Sequence, residues 1–199
     1  MILPITTYGS PILRKRTMPI VNDSEDVQRL IDNMIETMHN ASGVGLAAPQ
    51  VGRSERLFVI DVSAVFEDEE ASPESETELV PEPTPRHRLG PIAFINPELV
   101  LLESDDVDFE EGCLSIPDLR EDVTRPDAIL IKYLDRHFQP REIETDGLIA
   151  RVIQHEFDHL NGVLFVDHLS PLKRRLLRRR LREMAKGDVS AEYPIRSLT

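Results

Sequence analysis

Apolar residues recur at helical spacing in three stretches of the 199-residue chain. Residues 24–40 carry one such stripe, with Asp23 as the expected N-cap. Residues 147–162 carry a second, with Asp146 as a suitable N-cap and Gly162 in the position that often ends a helix. The third begins at Ser170 and Pro171, an N-cap followed by proline at the first helical position. The pattern therefore predicts three helices.

Shorter apolar segments lie between these stretches. They predict strands at residues 56–62, 92–95, 99–102 and 128–134, with residues 138–144 as a returning hairpin partner. Strands grouped before one helix indicate an α+β fold, in which antiparallel β-sheets pack around the central helix of residues 147–162. The sequence contains no internal repeat, alternating βαβ series or nucleotide-binding fingerprint. At this length, residues 1–199 are most simply one domain.

The second predicted helix contains the sequence His155-Glu156-Phe157-Asp158-His159. Two histidines four residues apart lie about 40° apart around a helix axis, so both imidazoles can reach one metal ion. Glu156 can then aim its carboxylate at a water molecule that the metal activates. Such short motifs also arise by chance, but the helical pattern and the carboxylate between the histidines favour a site. The motif indicates metal-assisted attack of water on a carbonyl.

A catalytic centre of this type usually has a third protein ligand. HExxH proteases take it from downstream, but position 165 is Phe165, His168 lies too far along, and Glu183 lies in a basic helix. Upstream, the single cysteine, Cys113, follows Gly112 and precedes an apparent strand. A thiolate suits Fe(II), zinc, nickel or cobalt beside two imidazoles. Cys113 is the better candidate, although a lone cysteine is more often a small core residue.

Residues 43–50 form a third segment, Gly-Val-Gly-Leu-Ala-Ala-Pro-Gln. The segment can be an ordinary structural loop. As the wall of a site, Gly43 and Gly45 would let a substrate backbone approach closely. The Gln50 side chain could donate an N–H to a developing oxyanion. No Lys-Ser/Thr pair follows, so the segment is not a phosphate-binding loop.

The three segments together resemble the motifs of the bacterial-type peptide deformylase family. With φ for an apolar residue, the family pattern is G-φ-G-φ-A-A-x-Q, E-G-C-φ-S and H-E-φ-D-H-φ-x-G. Residues 43–50, 111–115 and 155–162 match it at every position and in the same order. Each motif alone is weakly specific, whereas the three together are highly specific and span most of the chain. The resemblance implies a peptide deformylase-like fold with a C-terminal helix.

The resemblance implies a metallohydrolase that acts co-translationally in protein biosynthesis. Such an enzyme removes the N-terminal formyl group from the formylmethionine of newly synthesised polypeptides and releases formate. The implied ligands of one divalent metal are Cys113, His155 and His159. The metal would be Fe(II) in cells, and zinc, nickel or cobalt could replace it in purified protein. Glu156 is implied as the acid/base, with the Gln50 side chain and the Leu114 backbone N–H as oxyanion donors.

A short apolar pocket for the methionine side chain is also implied. The expected substrate-binding residues are Gly43, Val44, Gly45, Phe109, Leu148 and Val152. The first three are expected to pair with the substrate main chain by strand addition. The apolar members could equally belong to the core. Glu111 is expected to pair with Arg125, as in similar proteins, although a solvated carboxylate is the simpler alternative.

Composition constrains the cellular setting. The chain is 40% apolar and 30% charged, which is typical of a soluble globular protein. It has no apolar run of about 18 or more residues, and its N-terminus lacks a basic region followed by an apolar core. We therefore expect no membrane span and no signal peptide. One cysteine is consistent with a reducing compartment, so we expect a cytoplasmic protein.

The net charge of −13 is unevenly distributed. Residues 66–90 are acidic and rich in proline and serine, and we predict a solvated insert loop between two strands. The predicted helix at residues 171–186 is strongly basic, with an expected apolar stripe of Leu172, Leu176, Leu177, Leu181 and Met184. Similar bacterial deformylases dock a C-terminal helix on the ribosome, so this helix is a candidate RNA contact. Equally, its charges could face solvent or the acidic body.

Two functions besides deformylation stay open at this point. A metalloendopeptidase would keep the histidine helix but would need a downstream ligand, so metal binding would not depend on Cys113. A binding protein could keep the fold without catalysis, for example on the ribosome. The intact Glu156, Gln50 and three ligand candidates argue against the second alternative.

Overall fold

The computed structural model describes residues 1–63 and 90–197. Within these ranges the chain forms three α-helices and nine β-strands. The helices are α1 (Glu25–Asn40), α2 (Gly147–Leu160) and α3 (Pro171–Ala185). The strands are β1 (Ile5–Thr6), β2 (Gly45–Ala47), β3 (Leu57–Ile60), β4 (Ile92–Leu101), β5 (Asp106–Cys113), β6 (Ile116–Pro126), β7 (Ile129–Leu134), β8 (Pro140–Thr145) and β9 (Ile195–Arg196). Apart from Gly90, the predicted insert at residues 66–90 lies outside the described residues.

The described strands pair into three sheets. The largest has the order β2-β3-β4-β7-β8 and is antiparallel throughout, with β2 at one edge. Strands β5 and β6 form a separate long antiparallel hairpin. The two short strands β1 and β9 pair in parallel, which brings a C-terminal segment beside the N-terminus. The predicted α+β class with antiparallel sheets is confirmed, apart from this one parallel pair.

The large sheet lies between α1 and α2. Leu57 and Val59 of β3 belong to a core cluster with Met34 of α1, whereas Phe58 belongs to a cluster with Ile153 of α2. Alternate residues of a strand point to opposite faces, so β3 is buried on both sides. Full burial of each such side chain contributes about 1.5–3 kcal/mol. The packing fixes α2, and therefore its histidines, against the sheet.

The ends of the helices follow their capping residues. Ser24, rather than the predicted Asp23, is the N-cap of α1, and its side chain accepts a 3.3 Å hydrogen bond from the Val27 N–H. Asp146 occupies the N-cap position of α2, as predicted. Gly162 follows α2 with a φ of 75°, and a Cβ there would lie 2.6 Å from the Arg14 carbonyl oxygen. The prediction that this glycine ends the helix is confirmed.

Strand β4 is one strand where the sequence pattern predicted two, at residues 92–95 and 99–102. The residues between them form a bulge, with Asn96 at a φ of 50°. The Asn96 side chain makes two hydrogen bonds to the Ile20 backbone, at 2.8 Å and 2.7 Å. These bonds hold the bulge in place, so the strand continues past a sequence that resembles a turn.

The β5–β6 hairpin was largely missed by the pattern of apolar residues. Asp106, Asp108 and Glu110 point to solvent, while Phe109 and Glu111 alternate with them on the inner face. The alternation has the period of a strand, but an acidic inner residue obscures it. The hairpin matters because its first strand, β5, ends in Cys113.

Helix α3 has a narrower buried face than the sequence predicted. Leu181 and Met184 are buried and Leu177 is partly buried. Leu172 and Leu176, however, are 68% and 74% exposed. Residues 177, 181 and 184 share one face at helical spacing, and the other two leucines lie around the helix from it. None of the helices in residues 1–63 and 90–197 is long and apolar enough to span a membrane.

Candidate active site

Cys113, His155 and His159 come together where the β5–β6 hairpin meets α2. One ligand atom from each residue lies within 4.8 Å of the other two. The Cys113 Sγ is 3.3 Å from the His159 Nε2. In the described part of the chain, this is the group of cysteine, histidine and acidic residues that could hold a metal ion. The three residues that the sequence singled out as ligands are therefore neighbours in space.

The electrostatics of the cluster fit a cation. Burial opposes charge on the Cys113 thiol, but the imidazoles of His159 and His155 outweigh burial and lower its pKa to about 5. A thiolate with two imidazoles is a donor set that Fe(II) and zinc accept. The Glu156 Oε2 and His159 Nδ1 atoms are buried without a hydrogen-bond partner among the described residues. Buried polar atoms in a native protein normally have a partner, so the Glu156 oxygen fits a bound water or ligand beside the cluster, whereas the His159 Nδ1 lies on the ring edge opposite the Nε2 that faces Cys113.

Glu111 orients His155 from behind. Its Oε2 lies 2.9 Å from the His155 Nδ1, which leaves the Nε2 to face the cluster. The predicted pair with Arg125 is confirmed, because the Arg125 Nε and Nη2 donate to the two carboxylate oxygens at 2.7 Å and 3.1 Å. Burial opposes ionisation of Glu111, but the His155 and Arg125 hydrogen bonds outweigh it and hold its pKa well below the usual range. A carboxylate behind a metal-ligand histidine fixes the ring and raises its basicity.

Arg151 is a site-supporting residue that the sequence analysis missed. It lies one helical turn before His155 and donates to Glu111 at 3.0 Å and to the Val123 carbonyl at 2.8 Å. Its guanidinium also stacks over the Phe109 ring at 5.0 Å. Removing one partner of a buried ion pair typically costs about 3–5 kcal/mol because the other charge is left buried and unpaired, so the buried Glu111 depends on these arginines. An arginine inside the apolar stripe of α2 was the available signal.

Glu156 lies beside the cluster and is 4% exposed. Burial raises its pKa to about 7, although the neighbouring imidazoles oppose the shift. A Cβ at Gly45 would overlap the Glu156 carboxylate, so only glycine fits there without a shift. Gly45 thus has a packing role in addition to the substrate contact predicted for it. A carboxyl that titrates near neutrality is suited to proton transfer.

Gln50 and Leu114 flank the cluster on the side of β2. The Gln50 Oε1 accepts a 2.7 Å hydrogen bond from the Ala47 N–H, and its Nε2 donates to the Ser115 Oγ at 3.3 Å. The same Nε2 lies 3.6 Å from the Cys113 Sγ. These contacts fix which end of the amide faces the cluster. Ser115, which is fully buried, is a second supporting residue that the sequence analysis did not single out.

The expected pocket residues lie in three different surroundings. Val44, Leu148 and Val152 belong to one apolar cluster between the sheet and α2. Phe109 instead contacts the guanidinium of Arg151. Gly43 lies against Leu114, because a Cβ at Gly43 would come within 2.8 Å of the Leu114 Cδ1. Assignment of these residues to a substrate pocket stays a prediction.

The downstream ligands that a metalloendopeptidase would need are engaged elsewhere. The His168 Nε2 lies 2.7 Å from the Asp158 Oδ2. The Glu183 Oε1 accepts a 2.9 Å hydrogen bond from the Arg179 Nε. Neither residue belongs to the group that could hold a metal. The geometry favours Cys113 as the third ligand over either alternative.

The site and fold together define a class of protein. A thiolate and two imidazoles can bind a metal ion, and a buried carboxyl that titrates near neutrality lies beside them. The Gln50 side-chain amide lies beside the same cluster. This combination defines a metallohydrolase that attacks a carbonyl carbon with water.

Comparison with known proteins identifies the family. The polypeptide deformylase family model matches residues 2–175. The chain is 54% identical to the peptide deformylase of Salinibacter ruber over 196 residues, which cover 98% of this chain and 94% of that protein. The peptide deformylase structure from Legionella pneumophila superposes with a TM-score of 0.75 at 40% identity, covering 94% of this chain and 98% of the other. The Ehrlichia chaffeensis enzyme gives 0.77 at 34% identity, covering 94% and 99%. The chain belongs to the polypeptide deformylase family.

Membership of this family decides between the functions that the sequence left open. The protein is a peptide deformylase, a metallohydrolase that removes the formyl group from the N-terminus of nascent peptides. A metal ion is its cofactor, in keeping with the Cys-His-His cluster. The metalloendopeptidase and the inactive binding protein are therefore set aside.

Proposed function

We propose that Cys113, His155 and His159 are the metal ligands, that Glu156 is the acid/base, and that the ion in cells is Fe(II). The observation that carries the proposal is the convergence of the three ligand atoms within 4.8 Å, with Glu156 buried beside them. A thiolate with two imidazoles also accepts zinc, nickel or cobalt, so purified protein could carry any of these ions.

The bound metal ion would supply Lewis acidity, which lowers the pKa of water and polarises the formyl carbonyl. Glu156 takes a proton from the attacking water and passes it to the amine that leaves as the new N-terminus. Its burial supports this role, because a pKa of about 7 lets the carboxyl both accept and release a proton near neutral pH. Glu111 holds His155 in place throughout, through the 2.9 Å contact with its Nδ1.

Gln50 and Leu114 would stabilise the negative charge that develops on the formyl oxygen. The Gln50 amide is fixed by Ala47 and Ser115, and its Nε2 lies on the cluster side, 3.6 Å from the Cys113 Sγ. Leu114 directly follows Cys113, so its backbone N–H lies next to the ligand. Donors fixed before the reaction need no reorganisation, and loss of one typically costs about 10²–10³-fold in kcat.

Strand β2 would receive the substrate backbone. Among the described strands it pairs with β3 alone and forms one edge of the large sheet. An extended peptide can add to such an edge by main-chain hydrogen bonds with residues 43–45. The methionine side chain would then enter the apolar region around Val44, Leu148 and Val152, with Phe109 as a further proposed wall residue.

The proposed setting is the cytoplasm, where nascent formylated chains are made. Cys113 is a free thiol and a proposed metal ligand, so a reducing compartment would protect it. We further propose that residues 1–199 form one catalytic domain. Core clusters that include residues from both the N-terminal and C-terminal parts of the chain support this, as with Leu13 and Leu181.

Protein purified anaerobically with Fe(II) should release formate from formyl-Met-Ala-Ser and leave the rest of the peptide intact. Metal-stripped protein should release none, and adding Fe(II) back should restore the activity. Formate detection combined with mass spectrometry of the peptide makes the measurement. A metal other than iron in protein isolated anaerobically from cells would contradict Fe(II), and activity without metal would contradict the whole mechanism.

We also propose that α3 contacts the ribosome. Some of its basic residues form ion pairs with acidic residues outside the helix. Lys173 pairs with Glu121 at 2.9 Å, and Arg180 lies 3.9 Å from Asp118. Others are exposed and form no ion pair with another described residue, namely Arg174, Arg175, Arg178 and Arg182. Exposed arginines beside the exposed Leu172 and Leu176 would suit a surface that presents phosphates.

Replacing Arg174, Arg175 and Arg178 together by glutamine should weaken ribosome binding without changing formate release from a short peptide. Loss of three phosphate contacts would also make binding less dependent on salt. Co-sedimentation with ribosomes at several salt concentrations measures both effects. A matched control replaces three exposed cations elsewhere, Lys15, Arg16 and Lys132. Deletion of the helix is a poorer test, because Leu181 and Met184 belong to the core. Equal sedimentation of both variants and the unmodified protein would contradict the proposal.

A further inference from the structure

A C-terminal segment returns to the active site after α3. Strand β9 pairs with β1, and the Ile5 N–H donates to the Pro194 carbonyl at 2.8 Å. The Thr7 N–H donates to the Arg196 carbonyl at 3.2 Å. We call residues 193–196 the C-terminal strap. The match to the family model ends at residue 175, before the strap.

The strap contacts Leu114, which lies next to Cys113 at the turn of the β5–β6 hairpin, through one side chain. The Tyr193 hydroxyl donates a 2.8 Å hydrogen bond to the Leu114 carbonyl oxygen. The Tyr193 ring is partly buried against the same apolar cluster as Leu46, Ala48 and Leu114. Burial, together with the charges of Cys113 and Asp118, raises the pKa of Tyr193 to about 12. The phenol therefore keeps its proton and remains a donor at any physiological pH.

Other contacts hold the residues around this bond. The Tyr8 N–H donates to the Ser115 carbonyl at 2.8 Å, so the next peptide is also anchored from outside the hairpin. The missing Cβ at Gly43 admits the Leu114 side chain. The backbone at residues 114–115 is thus fixed by the Tyr193 side chain and by the main chain at Tyr8. The Tyr193 hydroxyl is the partner of the Leu114 carbonyl among these contacts.

We propose that Tyr193 is a positioning residue for deformylation, and that it acts by holding the Leu114 carbonyl so that the N–H on the other side of the Leu114 Cα faces the developing oxyanion. The inference rests on the role proposed above for Leu114. The carbonyl and the N–H of Leu114 are attached to the same Cα. A hydrogen bond to the carbonyl therefore restricts the backbone rotation at Leu114 that would turn its N–H away from the cluster. Cys113 is constrained on the other side by its place in the cluster. Tyr193 itself touches neither substrate nor metal in this role.

The Tyr193→Phe variant tests the proposal with the loss of one oxygen atom. Its kcat should fall about three- to tenfold, the range expected when one neutral hydrogen bond is removed. Because the Leu114 N–H would act on charge that appears in the transition state, KM should be unchanged. Metal content should stay close to that of the unmodified protein, and the melting temperature should fall by no more than a few degrees, as expected for the loss of one hydrogen bond. Tyr133→Phe is the matched control, since it removes a hydroxyl from a ring packed against Phe94.

A lower kcat in Tyr193→Phe, with constant KM and normal kinetics in Tyr133→Phe, supports the positioning role. An unchanged kcat overturns it, as does an equal loss in both variants or a change confined to KM. Gln50→Ala, measured beside them, separates this inference from the proposed function. A normal kcat in Gln50→Ala would contradict the assignment of the oxyanion donors. A low kcat in Gln50→Ala with a normal kcat in Tyr193→Phe would contradict only the positioning role of Tyr193.

Discussion

Glu156→Ala should retain its metal ion and lose deformylase activity by about 10²–10⁴-fold, the usual contribution of a positioned acid/base. The physical reason is that no other carboxyl among the described residues lies beside the Cys-His-His cluster with a buried, partnerless oxygen. Metal content by elemental analysis and formate release under saturating peptide measure the two parts of this expectation. Glu156→Gln should show the same loss, because the amide keeps the shape but cannot accept the proton.

The control for this prediction is Glu183→Ala. Glu183 is an acidic helix residue that pairs with Arg179 on α3 rather than with the site. Its removal should leave turnover unchanged, and the result also tests the downstream residue that a metalloendopeptidase could have used. Near-normal turnover in both Glu156 variants would contradict the assignment of Glu156 as the acid/base.

Cys113→Ala should purify with little or no metal and without activity. A carboxylate or hydrogen-bond partner behind a ligand typically contributes about 10–100-fold to metal affinity, so loss of a ligand itself should exceed that range. The remaining imidazoles of His155 and His159 leave a site with two protein ligands, fewer than catalytic centres of this type use. Elemental analysis after dialysis against a weak chelator, with circular dichroism to check the fold, makes the measurement.

His168→Ala is the matched control for Cys113→Ala. His168 follows the motif and contacts Asp158, one residue before the ligand candidate His159. If the proposed ligand set is right, this variant keeps its metal. Retention of metal by Cys113→Ala together with its loss from His168→Ala would move the third ligand downstream and contradict the upstream assignment.

The residues that hold the proposed metal ligands in place were only partly predictable from the sequence. The pairing of Glu111 with Arg125 was an expectation from the family resemblance, and the structure confirms it. Arg151 was not expected, although it donates to the same carboxylate and to two backbone carbonyls of the hairpin. Its role could not be read from helical periodicity, because burial of an arginine depends on acceptors that another segment supplies.

The secondary structure was also only partly predictable from the sequence. Helices α1 and α2 were predicted within a few residues, because apolar spacing and caps are local properties. Strand β4 was divided at Asn96, and only the contacts of that side chain with Ile20 explain why the strand continues. The β5–β6 hairpin was largely missed, since Glu111 on its inner face is neutralised by arginines from β6 and α2. A pattern of apolar positions treats such a residue as solvent-exposed.

The sequence by itself determined the chemistry of this protein. The three motifs contain the thiol, the imidazoles and the carboxyl, and spacing within one helix places His155 and His159 on one face. Only the tertiary structure decided that Cys113 reaches those histidines, that Gly45 makes room for Glu156, and that Tyr193 holds Leu114. The reason is physical: periodicity and capping act over a few residues, whereas these contacts join segments dozens of residues apart, and packing of the whole chain sets their distances.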